Sequence, residues 1–384
     1  MIGQGTSQAR LWRLGLLGCG RFGRFCLERF RGWARLRAVA VADIIPLLAR
    51  DVARDFGVAE CGTPAELLAR ADVDVVLVST PPNTHYALTM QALKAGKHVV
   101  CEKPLALTLD QADEMIAVAE STRRLLVVNH MLRYSPLLDM VRRVIESRVL
   151  GEALHFRFEN NAEDERLPRD HWFWDTQQSG GIFVEHAVHF FDLQRWWFGP
   201  GAVLAAHQEP REGTGQIDRV WCATRHHASV LGQQYHGFDQ PVRLDRAEHR
   251  VVLERGDMVV SGWIPTALHV FGILDDDQTH QLAEICGSEP LVLERYEGPQ
   301  QLCQGHGRQY RVTARVEFNR TLVEDKGQVY GEMLRLLFDD QLSALEEPNH
   351  VSRLRVQDAR EALRMALQAS HLADGARCSD DSAS

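Results

Sequence analysis

Several features typical of membrane, extracellular and repeat proteins are missing from this chain. No apolar run approaches the roughly 20 residues that a membrane-spanning helix needs. None of the eight cysteines forms a C-x-x-C pair, and no internal repeat or low-complexity block is present. Residues 1–10 are polar, without the basic start and apolar core of a secretory signal, so we expect a cytoplasmic protein with reduced thiols.

Lysine is also scarce, so almost all of the positive charge comes from arginine. The 384 residues include 43 Lys and Arg against 52 Asp and Glu, a net charge of −9 that argues against general nucleic-acid binding. The hydrophobic share of 45% and the charged share of 25% exclude a disordered chain. Only four residues are lysine: Lys94, Lys97, Lys103 and Lys326. A lysine in a predicted cleft is therefore a candidate for proton transfer, which arginine cannot perform.

The first part of the chain alternates short apolar runs with helical stretches. Strands are predicted at 14–17, 38–42, 73–79, 98–101 and 125–128. Helices are predicted between them, beginning near 21, 46, 83 and 109. Runs that are apolar on both faces and are joined by helices indicate an N-terminal Rossmann domain with a doubly wound parallel sheet.

The pattern changes after residue 151. Strand-like segments recur at 155–158, 220–226, 229–235, 250–253 and 258–263, and the turn residues 254–257 indicate a hairpin. One helix, at 181–197, interrupts them. The predicted fold class is thus α/β with a C-terminal α+β domain whose sheet is mostly antiparallel. The predicted segments are a disordered start (1–10), the Rossmann domain (11–150), a substrate and oligomerisation domain (151–350), a C-terminal helix packing back on the chain (351–373) and a disordered tail (374–384).

A glycine-rich turn follows the first predicted strand. The residues Gly18, Cys19, Gly20, Arg21, Phe22 and Gly23 form G-x-G-x-x-G at the start of a helix. Gly18 permits a tight turn, Gly20 leaves room for a pyrophosphate, and Gly23 lets the helix pack closely on the sheet. The helix N-terminus adds N–H donors and a favourable dipole, so these six residues are predicted to bind a dinucleotide.

Asp43 ends the second predicted strand and bears on the choice of cofactor. A carboxylate there accepts hydrogen bonds from the adenosine ribose hydroxyls and repels a 2′-phosphate. No arginine follows it directly, since the next residues are Ile44 and Ile45. The prediction is NAD rather than NADP. The alternative is that Asp43 caps the helix that begins at Pro46.

Two later segments reveal a family resemblance. Ser79-Thr80-Pro81-Pro82-Asn83-Thr84-His85 follows one strand, and Cys101-Glu102-Lys103-Pro104 ends another. Together with Gly180-Gly181, Glu185 and His189, they resemble the Gfo/Idh/MocA oxidoreductases over roughly residues 11–372. The resemblance implies a large open sheet in the second domain, a Pro104 peptide that is cis in relatives, and a homodimer or homotetramer. It also implies further cofactor-binding residues: Thr80, Pro81, Asn83, His85, Glu102, Lys103 and Arg133.

The resemblance also implies the catalytic residues. Lys103 matches a residue that contacts the nicotinamide side of the cofactor and the substrate hydroxyl. Glu185 and His189 are four residues apart, so they share one face of a helix, and His189 is the candidate general base with Glu185 assisting. The chain departs from the family pattern at Glu185, where an aspartate is usual, and at Ala187, where a glycine is usual. These departures put the substrate identity in doubt more than the chemistry.

The predicted function is an NAD(P)-dependent oxidoreductase that moves a hydride between nicotinamide and a secondary alcohol or ketone of a sugar, cyclitol or sugar derivative. Trp172, Trp174 and His186 are candidate substrate-binding residues; for the tryptophans the alternative is packing, and for His186 a buried helix position. No metal site is predicted, and no nucleic acid or membrane is expected as a partner. The alternatives are a redox-neutral NAD-dependent glycosidase of the same fold, a non-catalytic nucleotide-sensing regulator, and an imine or pyrrole-type reductase.

Overall fold

Residues 10–164 and 167–380 are described by the structure, a computed structural model. The chain divides into two compact units, one comprising residues up to Asn129 with Leu334–Arg360, the other His130–Met333 with the residues from Glu361 onward. This division falls earlier than the predicted boundary at residue 150, because helix α6 (Pro136–Ser147) contacts helices and strands of the second unit. Most of the predicted disordered start, residues 1–9, lies outside the described residues.

The first unit contains a parallel sheet of six strands in the order β3-β2-β1-β4-β5-β6. The strands are β1 (Trp12–Leu17), β2 (Leu36–Ala42), β3 (Ala59–Cys61), β4 (Val75–Val78), β5 (His98–Cys101) and β6 (Leu126–Val128). The helices among them are α1 (Arg21–Phe30), α2 (Pro46–Phe56), α3 (Pro64–Ala69), α4 (His85–Lys94) and α5 (Leu109–Thr122). The predicted doubly wound sheet is confirmed. The short elements β3 and α3 were not predicted.

The order of the central strands decides where the functional loops meet. β1 is hydrogen-bonded to β4, and β4 to β5, all in parallel. All four residues of β4 are buried, which a strand covered by helices on both faces requires. The loops that follow β1, β4 and β5 therefore leave the sheet side by side at its carboxyl edge, where ligands of such sheets bind.

The second unit contains a nine-stranded sheet in the order β14-β17-β13-β12-β11-β7-β10-β9-β8. Its strands are β7 (Ala153–Glu163), β8 (Gly201–Pro210), β9 (Ile217–His226), β10 (Leu231–Gln240), β11 (Arg246–Leu253), β12 (Gly256–Ser261), β13 (Ala267–Leu274), β14 (Leu291–Arg295) and β17 (Ala314–Thr321). Only β7 and β10 pair in parallel, so the predicted large, mostly antiparallel sheet is confirmed. A separate hairpin joins β15 (Leu302–Gly305) to β16 (Arg308–Arg311). The predicted turn at 254–257 does connect β11 to β12.

Helix α8 (Val188–Phe198) covers the middle of this sheet. Phe190 on α8 stacks on Phe158 of β7, with 3.7 Å between the ring centroids. The neighbouring strands alternate buried and exposed residues, as expected when one face is covered by helices. The other helices wholly in the unit are α6, the single turn α7 (Thr176–Ser179) and α9 (Asp276–Cys286).

Two long helices, α10 (Lys326–Glu346) and α11 (Val356–Asp380), end the chain. The predicted C-terminal helix at 351–373 begins later than expected and continues through the segment predicted to be disordered from residue 374. The small and polar residues of this segment were therefore a poor guide to its structure. Residues 381–384 lie outside the described residues. No described helix is long and apolar enough to cross a membrane.

Candidate active site

The turn after β1 has the backbone shape that its glycines predict. Gly18 has a φ of +97°, and a Cβ there would lie 2.2 Å from the carbonyl oxygen of Ser79. A Cβ at Gly23 would lie 2.2 Å from the carbonyl oxygen of Gly18. By contrast, a Cβ at Gly20 would meet no protein atom within 4 Å. The turn is therefore closed on its protein side and open at Gly20, at the start of α1, which fits a pyrophosphate.

Asp43 lies directly beside this turn. One carboxylate oxygen accepts a hydrogen bond from the Cys19 N–H at 2.6 Å, and the other accepts from the Ile45 N–H at 2.7 Å. It therefore does not cap α2, whose first residues receive no side-chain hydrogen bond. Each carboxylate oxygen still has a second lone pair, so Asp43 can also accept from ribose hydroxyls.

The thiol of Cys19 stays neutral beside the glycine-rich turn. Burial, with a smaller contribution from the charge of Asp43, raises the pKa of Cys19 to about 12. The sulfur lies 3.8 Å from the carbonyl oxygen of Ala42. A protonated thiol adds no negative charge next to a bound pyrophosphate, whereas a thiolate would repel it.

His85 connects the two loops that follow β4 and β5. Its Nε2 lies 2.8 Å from the Thr80 carbonyl oxygen, and its Nδ1 lies 2.7 Å from the Pro104 carbonyl oxygen. The side chain is fully buried, so it presents no surface to a ligand. We therefore revise the predicted cofactor contact of His85 to a positioning role. Thr80 is partly exposed and shares a hydroxyl contact of 2.6 Å with Thr84.

Glu102 and Lys103 follow β5 at the carboxyl edge of the sheet. The carboxylate of Glu102 is buried and accepts a 2.6 Å hydrogen bond from the side-chain amide of Asn129, at the end of β6. This bond fixes the backbone just before Lys103, whose side chain is half-buried. The Lys103–Pro104 peptide is cis, as the resemblance implied.

In the second unit, the helix that carries His189 starts with a wide turn. Residues Phe183–Ala187 form a π-helical turn, which continues into α8 at Val188. Such turns widen the backbone spacing and are common at functional sites. Glu185, His186 and His189 are all buried. Four residues make about one turn of either helix type, so Glu185 and His189 remain near one face.

His189 is surrounded by rings from other parts of the second unit. Its ring centroid is 5.7 Å from that of His130 and 5.9 Å from that of Trp263. His186 lies in the same group, 5.2 Å from His236 and 5.1 Å from Phe238. The indole of Trp263 in turn contacts Tyr330. These rings form a wall around the candidate general base, and none of His130, Trp263 and Tyr330 was predicted.

Arg133 is held in a buried ion pair. Its Nε and Nη2 atoms donate to the two carboxylate oxygens of Asp192, at 2.8 and 2.7 Å. Burial raises the pKa of Asp192, but the charges of Arg133 and His130 outweigh it, and the pKa lies below the ordinary value. The pair joins the segment after His130 to α8, three residues beyond His189. The structure shows Arg133 in contact with Asp192, and the predicted contact of Arg133 with the cofactor stays a prediction.

Two further polar groups near His186 were missed by sequence reasoning. Asn160 on β7 is buried, and neither its amide nitrogen nor its carbonyl oxygen has a hydrogen-bond partner among the described residues. His236 lies opposite it on β10, with Nε2 bonded to Gln234 and Nδ1 without a partner there. Burial lowers the pKa of His236 to about 3, so its imidazole is neutral. The only signal in the sequence was an unusual Asn-Asn pair within a strand.

Two of the three aromatic residues at 172–174, before the π-helical turn, pack against other residues of the second unit. Phe173 is buried against Phe238, with ring centroids 4.8 Å apart. The Trp174 indole donates to the Leu167 carbonyl oxygen at 3.1 Å, and the Arg211 guanidinium lies 5.2 Å from a Trp174 ring centroid. Trp174 thus has packing contacts in the second unit, and its predicted substrate role stays a prediction. Trp172 is half-exposed and keeps its predicted substrate role as a prediction.

No group of three or more His, Cys, Asp or Glu residues in the described ranges could hold a metal ion. The glycine-rich turn, Asp43 and the loops after β4 and β5 instead lie at the carboxyl edge of a parallel sheet, where nucleotides bind in such folds. These features place the chain in the class of Rossmann-fold dinucleotide-binding proteins that carry a second domain with a large sheet.

Comparison with known proteins narrows this class. Residues 12–130 match the family model described as "Oxidoreductase family, NAD-binding Rossmann fold", and residues 138–259 match the "GFO/IDH/MocA C-terminal domain". The chain belongs to the Gfo/Idh/MocA oxidoreductase family.

Two inositol dehydrogenases are similar to this chain over part of its length. Inositol 2-dehydrogenase of Rhizobium meliloti (strain 1021) is 34% identical over 187 residues, which cover 49% of this chain and 55% of the relative. Myo-inositol 2-dehydrogenase of Thermotoga maritima is 27% identical over 254 residues, covering 62% and 74%. The chain thus spans little more than half the length of the first relative. Levoglucosan dehydrogenase, solved with NADH and levoglucosan, has a TM-score of 0.76 at 19% identity and covers 95% of this chain and 98% of that one, which shows a shared fold.

Proposed function

We propose that this protein is an NAD-dependent dehydrogenase that acts on a secondary alcohol or ketone of a cyclitol or sugar. The observation that carries the proposal is the presence, in one chain, of an open glycine-rich turn beside Asp43 and of the buried, ring-walled His189 on a π-helical turn. Relatives named for inositol oxidation and a fold neighbour that holds NADH with levoglucosan support this substrate class.

The residues divide the work between binding and proton transfer. A bound nicotinamide would supply the hydride chemistry. In the oxidation direction, the His189 imidazole takes the proton from the alcohol oxygen, and Glu185 assists it. Lys103, half-buried at the edge of the parallel sheet, is the second proposed catalytic residue. Asn160 offers a donor and an acceptor to neighbouring hydroxyls, since both its polar atoms lack a partner in the described chain.

We propose NAD rather than NADP as the cofactor. Asp43 places a negative charge beside the turn, where a 2′-phosphate would be repelled. Ile44 follows it with 95% of its surface exposed, and Ile45 and Pro46 come next. No side chain in this short stretch could pair with a phosphate. The ribose hydroxyls of NAD, in contrast, would donate to the Asp43 carboxylate.

The assembly and location are also proposals. The outer face of the nine-stranded sheet carries exposed apolar residues such as Trp221 and Leu231, which favours a homodimer or homotetramer. Seven of the eight cysteines are free thiols in the structure, which suits a reducing cytoplasm.

The experiment that tests the function is a nicotinamide absorbance assay on the purified full chain. NAD and NADP are offered in parallel with inositols, aldoses, sugar acids and nucleotide sugars. The proposal predicts reduction of NAD with at least one cyclitol or sugar. Tight NADH binding without turnover on any of these classes would contradict the proposed substrate class.

A further inference from the structure

A cavity of about 310 Å³ lies in the first unit, at a place that the proposed function does not use. It is lined by the C-terminal end of α5, the residues that begin β6, and the segment between α10 and α11. Leu125 and Leu126 lie at the amino end of β6, whereas Lys103 and the glycine-rich turn follow the carboxyl ends of their strands. The cavity therefore lies at the opposite edge of the parallel sheet from the candidate nucleotide site.

The charge that lines the cavity is strongly positive. Arg123, Arg124 and Arg355 all contribute to its wall, against one carboxylate, Glu120. None of the three guanidinium groups has an ion-pair or hydrogen-bond partner in the part of the chain that the structure describes. Several other arginines of this unit are engaged, as in the Arg13–Asp74 pair. Three exposed arginines that line one cavity favour an anionic ligand there.

The N-terminus of α11 adds to this preference. Val356 and Gln357, the first residues of this 25-residue helix, line the cavity. The first N–H groups of a helix have no partner within the helix, and that end carries a partial positive charge. The first turn also carries Asp358, which accepts a hydrogen bond from the Arg355 N–H at 3.0 Å, so the positive charge at the cavity comes mainly from the arginines.

The floor of the cavity is apolar and its walls are fixed. Ala119, Leu126 and Leu354 are buried side chains that line it. Arg360 of α11 donates to both carboxylate oxygens of Asp113 on α5, at 2.9 and 3.0 Å. The cavity volume falls at the lower end of the range of about 300–1,000 Å³ usual for small-molecule sites.

We propose that this cavity binds a small organic oxyanion, with its phosphate or carboxylate group at Arg123, Arg124 and Arg355 and its carbon body on the apolar floor. The ligand is a separate molecule from the dinucleotide and the alcohol substrate. The site does not depend on the proposed dehydrogenase activity, because it uses none of those residues.

Isothermal titration calorimetry tests the proposal on the full chain, with and without saturating NADH, at constant ionic strength. The probes are phenyl phosphate, phthalate and inorganic phosphate, none of which is a sugar. We expect phenyl phosphate or phthalate to bind more tightly than inorganic phosphate, with or without NADH. Binding of phenyl phosphate alone identifies phosphate esters, and binding of phthalate alone identifies carboxylates. Absence of binding by both, or equal binding of inorganic phosphate, overturns the proposal.

Two sets of variants locate the binding. Arg123→Asn with Arg355→Gln should weaken binding by about tenfold, because two charge-assisted contacts are lost. Asparagine is chosen at 123 because the residue there has a φ of +53°. The control pair Arg225→Gln with Arg243→Gln removes two exposed arginines outside the cavity and should change nothing. Glu120→Gln removes the only lining carboxylate and should tighten binding about twofold. A misfolded variant cannot mimic this gain, and an unchanged affinity in both sets contradicts the assignment.

Discussion

At the scale of single residues, the charge of Asp43 decides which dinucleotide fits. We predict that Asp43→Asn lowers the ratio of kcat/KM for NAD to that for NADP by about tenfold, equivalent to about 1.4 kcal/mol. The amide keeps an acceptor for the Cys19 or Ile45 N–H but no longer repels a 2′-phosphate. Initial rates with both cofactors measure the ratio. Asp51→Asn, on the exposed surface of α2, is the control. An unchanged ratio in Asp43→Asn contradicts the proposed role.

The proposed catalytic roles of His189 and Lys103 predict a large loss of turnover when either side chain is removed. His189→Ala and Lys103→Ala should each lower kcat by about 10²–10⁴-fold, the usual contribution of a positioned proton-transfer group. NADH binding, measured by fluorescence, should be retained in His189→Ala. The matched controls are His280→Ala and Lys94→Ala, at exposed positions on α9 and α4. If either catalytic variant turned over at the original rate, that residue would lose its assigned role.

These residue assignments came from different kinds of signal. The glycine-rich turn and Asp43 were predictable because each has a local backbone reason that is visible in the sequence. His85 was misassigned because its motif position does not reveal that both ring nitrogens face backbone carbonyls. Asn160, Trp263 and Tyr330 were missed because they meet the other site residues only through tertiary packing.

At the scale of elements, α8 is tied to the segment before α6 by the buried pair of Arg133 and Asp192. Asp192→Asn should destabilise the protein by about 3 kcal/mol, because it leaves a buried guanidinium without its counter-charge. Arg133→Met with Asp192→Leu should recover much of this loss, since neither charge then remains buried. Urea unfolding measures both. Arg295→Gln removes an exposed pair in the same unit and should cost less than about 1 kcal/mol. Equal effects of Asp192→Asn and Arg295→Gln would contradict the prediction.

The contact between the sheet and α8 makes stability depend on pH. His249 lies among Phe156, Phe158 and Phe190, and neither ring nitrogen has a hydrogen-bond partner among the described residues. Burial lowers the pKa of His249 from 6.5 to about 3. Above pH 6.5 the imidazole is neutral both folded and unfolded. As the pH falls from 6.5 toward 3, only the unfolded chain takes up the proton, so stability is lost by about 1.4 kcal/mol per pH unit.

His249→Phe should therefore stabilise the protein at pH 5 more than at pH 7.5. The variant removes this proton uptake and a buried imidazole without partners, and it keeps a ring in the aromatic cluster. Urea midpoints at the two pH values measure the difference. His280→Gln, at an exposed position, should not alter the pH dependence. A variant whose midpoint shifts equally at both pH values would show that His249 is not the group that titrates.

Secondary-structure elements were predictable where their hydrophobic pattern is long and clearly bounded. The buried strands of the Rossmann sheet and α2 were predicted closely, since their apolar runs and flanking turns are unambiguous. Helix α3 and strand β3 were missed because they are too short to show a period. The π-helical turn at Phe183–Ala187 could not be seen, because it reads as ordinary helix in the sequence.

At the scale of the whole molecule, the open face of the nine-stranded sheet predicts self-association. Trp221→Glu should increase the monomer fraction in size-exclusion chromatography with light scattering, because a charge replaces an exposed indole on that face. Val323→Glu, at an exposed loop position of the same unit, should leave the mass unchanged. If the wild-type protein has the mass of a monomer in the same measurement, the prediction of self-association is wrong.

The proposed reaction of the whole molecule is net hydride transfer to the nicotinamide from a hydroxyl-bearing carbon. It is tested by the stoichiometry of NADH and carbonyl product during complete conversion of an identified substrate. A dehydrogenase should yield equimolar NADH and ketone. Product formation with catalytic NAD and no accumulated NADH would contradict it and would point to the redox-neutral cleavage of a glycosidic bond.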